Sequence, residues 1–158
     1  MPELIRRGTA ADVAAITALT MRAYAKWKAL IGHEPLPMLA DYAVAIQQHR
    51  FDLIEHGGTL VALIETDLRD DDLLIVNVAV SPDAQKRGHG RRLLALADQI
   101  ARDAGRDTLR LYTNERFEEN IRLYASLGYS EERIETRANG DRAVHMVKRM
   151  ERALQTRS

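Results

Sequence analysis

The sequence predicts an α/β domain (α+β in some schemes), with a mixed central sheet of about seven strands flanked by about four helices. Three observations predict it. Residues 73–80, Leu-Leu-Ile-Val-Asn-Val-Ala-Val, form an apolar, β-branched run with poor alternation, as a central strand covered on both faces should. A turn with two glycines follows, and after it Leu93, Ala97, Ile100 and Ala104 recur at the three- and four-residue steps of a helix. Residues 108–113 then read as another strand, and strand, helix, strand implies a right-handed crossover between parallel neighbours.

Residues 4–8 read as a short first strand. Thr9 with Asp12 three residues later is a capping box, and Val13, Ile16, Thr20, Ala23 and Trp27 form one stripe of the helix it opens. Gly32 ends that helix, and Gly32-His33-Glu34-Pro35-Leu36-Pro37 is a stiff connection. Pro37 suits the first turn of a second helix, whose apolar face is Leu39, Tyr42, Ala43 and Ile46. Residues 51–55 and 59–65 are strands joined by the turn His56-Gly57-Gly58. Residues 66–72 are too polar to bury and read as a loop. The helix after the two glycines ends at Gly105. A further helix, from about Glu118 to Leu127, stops at Gly128 with Tyr129 as its hydrophobic contact. Strands at about 129–137 and 142–149 flank the hairpin signal Asn139-Gly140. Residues 1–150 are expected to be one domain and 151–158 a frayed tail.

Charge balances at 23 basic against 23 acidic side chains, so no global field recruits nucleic acid or an anionic membrane. The absence of cysteine excludes disulfides, thiolate nucleophiles and thiolate metal sites. His33, His49, His56, His89 and His145 show no paired metal-ligand spacing, and no metal is expected. No run approaches membrane-spanning length and Met1-Pro2-Glu3-Leu4 is no signal peptide, so a cytoplasmic location is expected.

The chemistry concentrates in Ser81-Pro82-Asp83-Ala84-Gln85-Lys86-Arg87-Gly88-His89-Gly90-Arg91-Arg92. Pro82 removes a backbone donor and stops the strand ladder. Gly88 and Gly90 let the backbone turn tightly and let a ligand approach where a Cβ would intrude. The N–H groups of residues 86–91 would converge at the positive end of a helix, a site for phosphate. Lys86, Arg87, Arg91 and Arg92 add positive charge there. The alternative is a solvated basic turn before a helix. No Gly-Lys-Ser/Thr follows, against a P-loop, and the missing third glycine stands against a dinucleotide fingerprint.

The pattern Gln-x-x-Gly-x-Gly at Gln85 to Gly90, directly after a Val-x-Val-x-Pro strand end, resembles motif A of the GNAT family of N-acetyltransferases. Leu111-Tyr112-Thr113-Asn114-Glu115 and Tyr124-Ala125-Ser126-Leu127-Gly128-Tyr129 are similar to further stretches of small bacterial members, and the element order matches the GNAT fold over residues 1–150. The resemblance implies acetyl-CoA as co-substrate, its pyrophosphate on Lys86, Arg87, Gly88, His89, Gly90 and Arg91. It places the pantetheine arm between two splayed strands, against the main chain of Val78, Ala79 and Val80. Tyr124 is the implied acid at the CoA sulfur, with a core tyrosine as the alternative. Asn120, one helical turn earlier, is the implied pantetheine contact, with a helix-start Asn as the alternative. Many members carry Asn seven residues before the tyrosine, where this chain has Phe117, and Glu where it has Val76. Asn77 cannot act as a base. Glu65, Glu115, His33 and His145 stay open as replacements, each also readable as a surface or structural residue, and a water chain is a further route.

The implied acceptor region is the first two helices and their connection, where Tyr24, Trp27, His33, Glu34 and Tyr42 suit an amine. The implied function is acyl-CoA-dependent N-acyltransfer, most simply of acetyl, to a small-molecule amine or a peptide or protein amine by direct attack in a ternary complex. The lack of cysteine leaves no thiol for an acyl-enzyme. The alternative is a CoA-binding sensor or regulatory module, for which Val76 is the support. Neither nucleic acid nor membrane is an expected partner. A homodimer is expected, since the closing hairpin leaves a sheet edge unpaired.

Overall fold

The computed structural model describes residues 4–151. Along them run β1 (Leu4–Arg7), α1 (Val13–Ile31), α2 (Leu36–Leu39), α3 (Tyr42–Gln48), β2 (Arg50–His56), β3 (Thr59–Leu68), β4 (Leu73–Val80), α4 (His89–Asp103), β5 (Thr108–Asn114), α5 (Glu118–Ser126), β6 (Ser130–Thr136) and β7 (Arg142–Arg149). The strands form one mixed sheet in the order β1-β2-β3-β4-β5-β7-β6. The α/β class and the seven-stranded sheet are as the sequence predicts, with five helices rather than four. Among the described residues no helix is long and apolar enough to cross a membrane.

Each face of the sheet carries its own core. On one, Leu93, Leu94, Ala97 and Ala101 of α4 and Tyr124 of α5 pack on Ile64, Leu73, Ile75, Leu109 and Leu111. On the other, Ile16, Leu19, Ala23, Tyr24 and Trp27 of α1 and Tyr42 of α3 pack on Phe51, Leu53, Leu63 and Ala79. Both faces are covered by apolar side chains, which is why β4 shows no clean alternation of polar and apolar residues.

Two irregularities of the sheet position the functional region. The first is in β4, where Glu65 pairs with Asn77 but Thr66 pairs with Ile75, leaving Val76 as the extra residue of a bulge. The bulge reverses which face each later residue meets. Leu73 and Ile75 face α4 before it, and Val78 and Val80 face the same side after it. Asn77 therefore turns to the α1 side, where Tyr24 and Tyr42 hydrogen-bond it. The second is the parting of β4 and β5. These parallel strands pair only from Leu73↔Leu109 to Ile75↔Leu111, after which they splay. Residues 77–80 keep β3 on one edge, while the edge toward β5 has no strand pairing.

The ends of α1 follow the sequence reading. Thr9 caps a short 3-10 turn, its hydroxyl accepting from Ala11 N and its N–H donating to Asp12 Oδ2 at 2.8 Å. Gly32, at φ 83°, closes the helix in the left-handed conformation a side chain would resist. Two expectations need correction. The second helix is two helices, α2 and α3, because Ala40 is extended at ψ 145° and Asp41 starts a new helix, accepting from Ala43 N at 3.0 Å. Leu39 is consequently 61% exposed, and only Tyr42 of the expected apolar face is fully buried. The polar stretch 66–72 is not a loop throughout: β3 runs on to Leu68, and Thr66 and Asp72 are buried. Asp72 stays inside because Arg69 holds both its oxygens at 2.7 Å and Arg110 adds a third contact at 2.8 Å. The expected tail lies, beyond Glu151, outside the described residues.

Candidate active site

The turn between β4 and α4 is shaped for an anion. Lys86 takes φ 67° and Gly88 φ 83°, so left-handed residues alternate with ordinary ones and successive N–H groups turn to one side. Gly88 is also the N-cap of α4, whose first N–H groups have no intrahelical acceptor. A Cβ built on Gly88 would meet no protein atom within 4 Å, so the space it faces is open for a ligand. Lys86, Arg87, Arg91 and Arg92 are all exposed around it. The side chain of His89, by contrast, is buried, leaving its backbone N–H as what it can offer. This concave, cationic backbone fits the pyrophosphate of a CoA thioester.

Beyond the turn, the splay of β4 and β5 opens a cavity of about 390 Å³. Val76, Asn77 and Val78 line one wall, and Thr113, Asn114, Asn120 and Tyr124 line another. The unpaired edge of β4 supplies main-chain donors and acceptors that an extended amide chain can take up as a further strand would. Tyr124 is 8% exposed and packs edge-on against Tyr129 at 5.9 Å. Burial pushes its hydroxyl up to about 12, so the phenol stays protonated and a donor.

The opposite wall comes from α1, α3 and β3. Tyr24 donates its hydroxyl to Asn77 Oδ1 at 2.7 Å, with the Val78 carbonyl at 3.2 Å as a second acceptor. Asn77 Nδ2 donates to the Tyr42 hydroxyl at 3.2 Å, which donates to the Pro37 carbonyl at 2.7 Å. The chain fixes the amide of Asn77 and ties β4 to the connection over the cavity. Beside Asn77 across the strand pair sits Glu65, 3% exposed and lining the same cavity. His49 approaches Glu65 Oε2 with Nδ1 at 2.6 Å. Burial raises the Glu65 carboxyl, and the His49 contact only partly offsets it. At the mouth, His33 Nε2 stands 2.9 Å from Asp141, linking the segment after α1 to the β6–β7 turn.

Part of the predicted set converges, while Ala79, Val80 and residues 86–91 do not line the cavity. Val78, Asn120 and Tyr124 line the cavity with Tyr24, His33, Glu34 and Tyr42 of the expected acceptor region. Trp27 does not line it. That ring stacks on Phe117 at 4.4 Å and locks α1 to the start of α5. Phe117, seven residues before Tyr124, is buried against Trp27 and also lines the cavity. Of the open alternatives for a base, Glu115 pairs with Arg142 at 3.2 Å on the surface and His145 with Glu135 at 2.9 Å, and neither lines the cavity. Glu65 was readable as a surface or structural residue, and its burial follows from β3 running on to Leu68, which keeps it on the α1 face with Leu63.

Comparison with known proteins bears on this geometry. The family model described as Acetyltransferase (GNAT) family matches residues 15–129. The ribosomal-protein-S18-alanine N-acetyltransferase of Escherichia coli superimposes with a TM-score of 0.75 at 23% identity, over 99% of both chains. The PaiA N-acetyltransferase of Thermoplasma acidophilum, solved in complex with coenzyme A, superimposes with a TM-score of 0.76 at 19% identity, over 94% of this chain and 99% of that one. At these identities the likeness is one of fold. The UPF0157 protein YqkA of Bacillus subtilis is 27% identical over 142 residues, 89% of this chain and 41% of that protein. The chain thus spans about two-fifths of the length of that curated relative.

Proposed function

We propose that this chain, which belongs to the GNAT acetyltransferase family, is an N-acetyltransferase that moves acetyl from acetyl-CoA to an amine by direct attack within a ternary complex. The observation that carries this reading is the single cavity shared by the unpaired edge of β4, by Tyr124 and by the polar acceptor wall of Tyr24, Tyr42, Asn77 and Glu65. Two reactants can meet there without leaving the protein.

Bound acetyl-CoA supplies an already activated thioester. The turn at 86–91 holds its pyrophosphate with backbone N–H groups and with Lys86, Arg87 and Arg91. The main chain of Val78, Ala79 and Val80 lines up the pantetheine arm and directs a donor at the thioester oxygen. Asn120 contacts the arm from α5. Tyr124 gives a proton to the departing sulfur. The acceptor amine enters past His33 and Glu34 and lies against Tyr24 and Tyr42. It belongs to a small molecule or to a peptide or protein. The working form is a homodimer in the cytoplasm.

The alternative, a CoA-binding module without catalysis, drew its support from Val76 in place of a carboxylate. A carboxylate in the cavity, that of Glu65, weakens it. Tyr124→Phe separates the two. It keeps the ring and its packing and removes the donor. Turnover with saturating amine should fall on the order of ten- to a thousandfold while acetyl-CoA affinity holds. Turnover within about twofold of wild type would return Tyr124 to a packing role.

A further inference from the structure

We propose that Glu65 is the general base of this site and that His49 carries the proton from it to solvent. The inference rests on the reading of the chain as an acetyl-CoA-dependent amine acetyltransferase. Three features of the structure carry it.

The first is the company Glu65 keeps. The other buried carboxylates among the described residues are held by guanidinium groups: Asp52 by Arg50 at 2.9 Å, and Asp72 by Arg69 and Arg110. At Asp72 these contacts favour the charged form, Arg69 first. Glu65 has instead a histidine, which can take a proton and hand it on. Its carboxyl moves the opposite way, raised by burial. A base must be able to hold the proton it abstracts, and only Glu65 of these is so placed.

The second is position. Glu65 is the direct cross-strand neighbour of Asn77 and lies on the cavity wall that Tyr24 and Tyr42 complete. An ammonium group at that wall meets the Glu65 carboxylate beside Tyr24, Tyr42 and Asn77, with Glu34 and Asp141 lining the cavity elsewhere.

The third is an exit. His49 lines the cavity and also a separate outer groove, with Thr66, Asp67 and Arg50. Its Nδ1 faces Glu65 and its Nε2 faces Asp67 at 3.7 Å. The ring therefore spans the wall between the buried site and the outside. As the N–C bond forms and the C–S bond breaks, the ammonium loses two protons. One passes to a Glu65 oxygen, then to His49 Nδ1, and leaves from Nε2 at the groove. The other ends on the CoA sulfur, delivered by Tyr124.

The titratable groups facing Glu65 are His49 from the α3–β2 junction, Asp67 on its own strand, Tyr24 from α1 and Tyr42 from α3. Burial raises both tyrosines, so neither ionises near neutrality. The one carboxyl there that burial raises is Glu65.

The experiment compares wild type, Glu65→Gln and His49→Ala with acetyl-CoA and a panel of primary amines. Glu65→Gln should lower kcat near pH 7 by on the order of a hundredfold with acetyl-CoA binding unchanged. His49→Ala should lose part of the rate and regain it on addition of imidazole, which a merely structural histidine would not show. A ligand-free readout accompanies these. A carboxyl raised in the folded state adds stability at low pH that is lost as pH rises through its folded value. Glu65→Gln should therefore gain melting temperature relative to wild type as pH rises, by a few degrees, about 2–4 °C. Turnover of Glu65→Gln within about threefold of wild type overturns the base. A rate in His49→Ala that imidazole leaves unchanged overturns the relay, and decides the matter if Glu65→Gln fails to fold. Wild type that binds acetyl-CoA and acetylates no amine overturns the function itself, an outcome distinct from either.

Discussion

At Lys86 a side-chain-bearing residue sits in the left-handed region, a conformation costing about 1–2 kcal/mol that the turn must impose. Two residues on, Gly88 takes a similar φ without that cost. The two positions make the concave backbone of the phosphate cradle, and Gly88 allows its use to be tested apart from folding. Gly88→Asp meets no protein atom, so the fold should survive with a loss of about 1–2 kcal/mol from backbone strain. The new carboxylate would stand where pyrophosphate must, and calorimetry should find no CoA binding. Unchanged affinity in the folded variant would discard the cradle. Residues of this kind were legible in the sequence, because glycines, a proline and clustered cations announce a backbone shape. Tyr124 was legible through its spacing from Gly128. Glu65 was legible only as one open alternative among four, because the strand was expected to end at it, while β3 runs on to Leu68 and buries it on the α1 face with Leu63.

Among the elements, α1 organises the acceptor wall, and its start is pinned by charge. Arg6 on β1 contacts Asp12 at 2.7 and 3.0 Å, and the Arg6 guanidinium holds the Asp12 carboxyl down to about 2. The folded value lies below the unfolded one of about 3.9, so this stability is present above the unfolded value and is lost as pH falls through the folded one. Because Arg6 is 40% exposed, solvent screens much of the effect. Asp12→Asn should cost about 1 kcal/mol at pH 7, with the gap to wild type closing between about pH 4 and pH 2 in denaturant titrations. A gap that stays constant over that range would assign the loss to the cap and not to the charge. The capping box and Gly32 made both ends of this helix readable. The break between α2 and α3 was hidden, because apolar spacing continues across it and only Asp41, an ordinary N-cap residue, marks the restart.

For the whole molecule, β3 and β4 feed both cores, so neither face of the sheet can unpack alone: Leu63 and Ala79 serve one side, Ile64 and Val78 the other. We expect residues 1–150 to unfold as one unit. The order of the last strands bears on assembly. β7, last in the chain, lies inside the sheet, and β6 is left at the edge. Polarity explains the choice, since Ser130, Glu131, Glu132 and Arg133 cannot be covered on two sides while Val144, Met146 and Val147 can. The edge carries mixed charge, a bulge between Glu131 and Arg133, and one half-exposed apolar side chain, Ile134. Such features blunt an edge without closing it, so pairing of β6 between two copies should be weak and reversible. Heat denaturation tests domain and dimer together. One transition should appear, rising with CoA and also with protein concentration, because whatever binds only the folded chain stabilises it by mass action. Light scattering should show a mass that moves from one chain toward two over the same concentrations. Added salt should shift it back, since identical strands meeting antiparallel set Glu131, Glu132 and Arg133 against one another. A monomer mass with a midpoint independent of concentration would leave β6 a solvated edge, and two transitions would divide the sheet that the paired cores require to be whole.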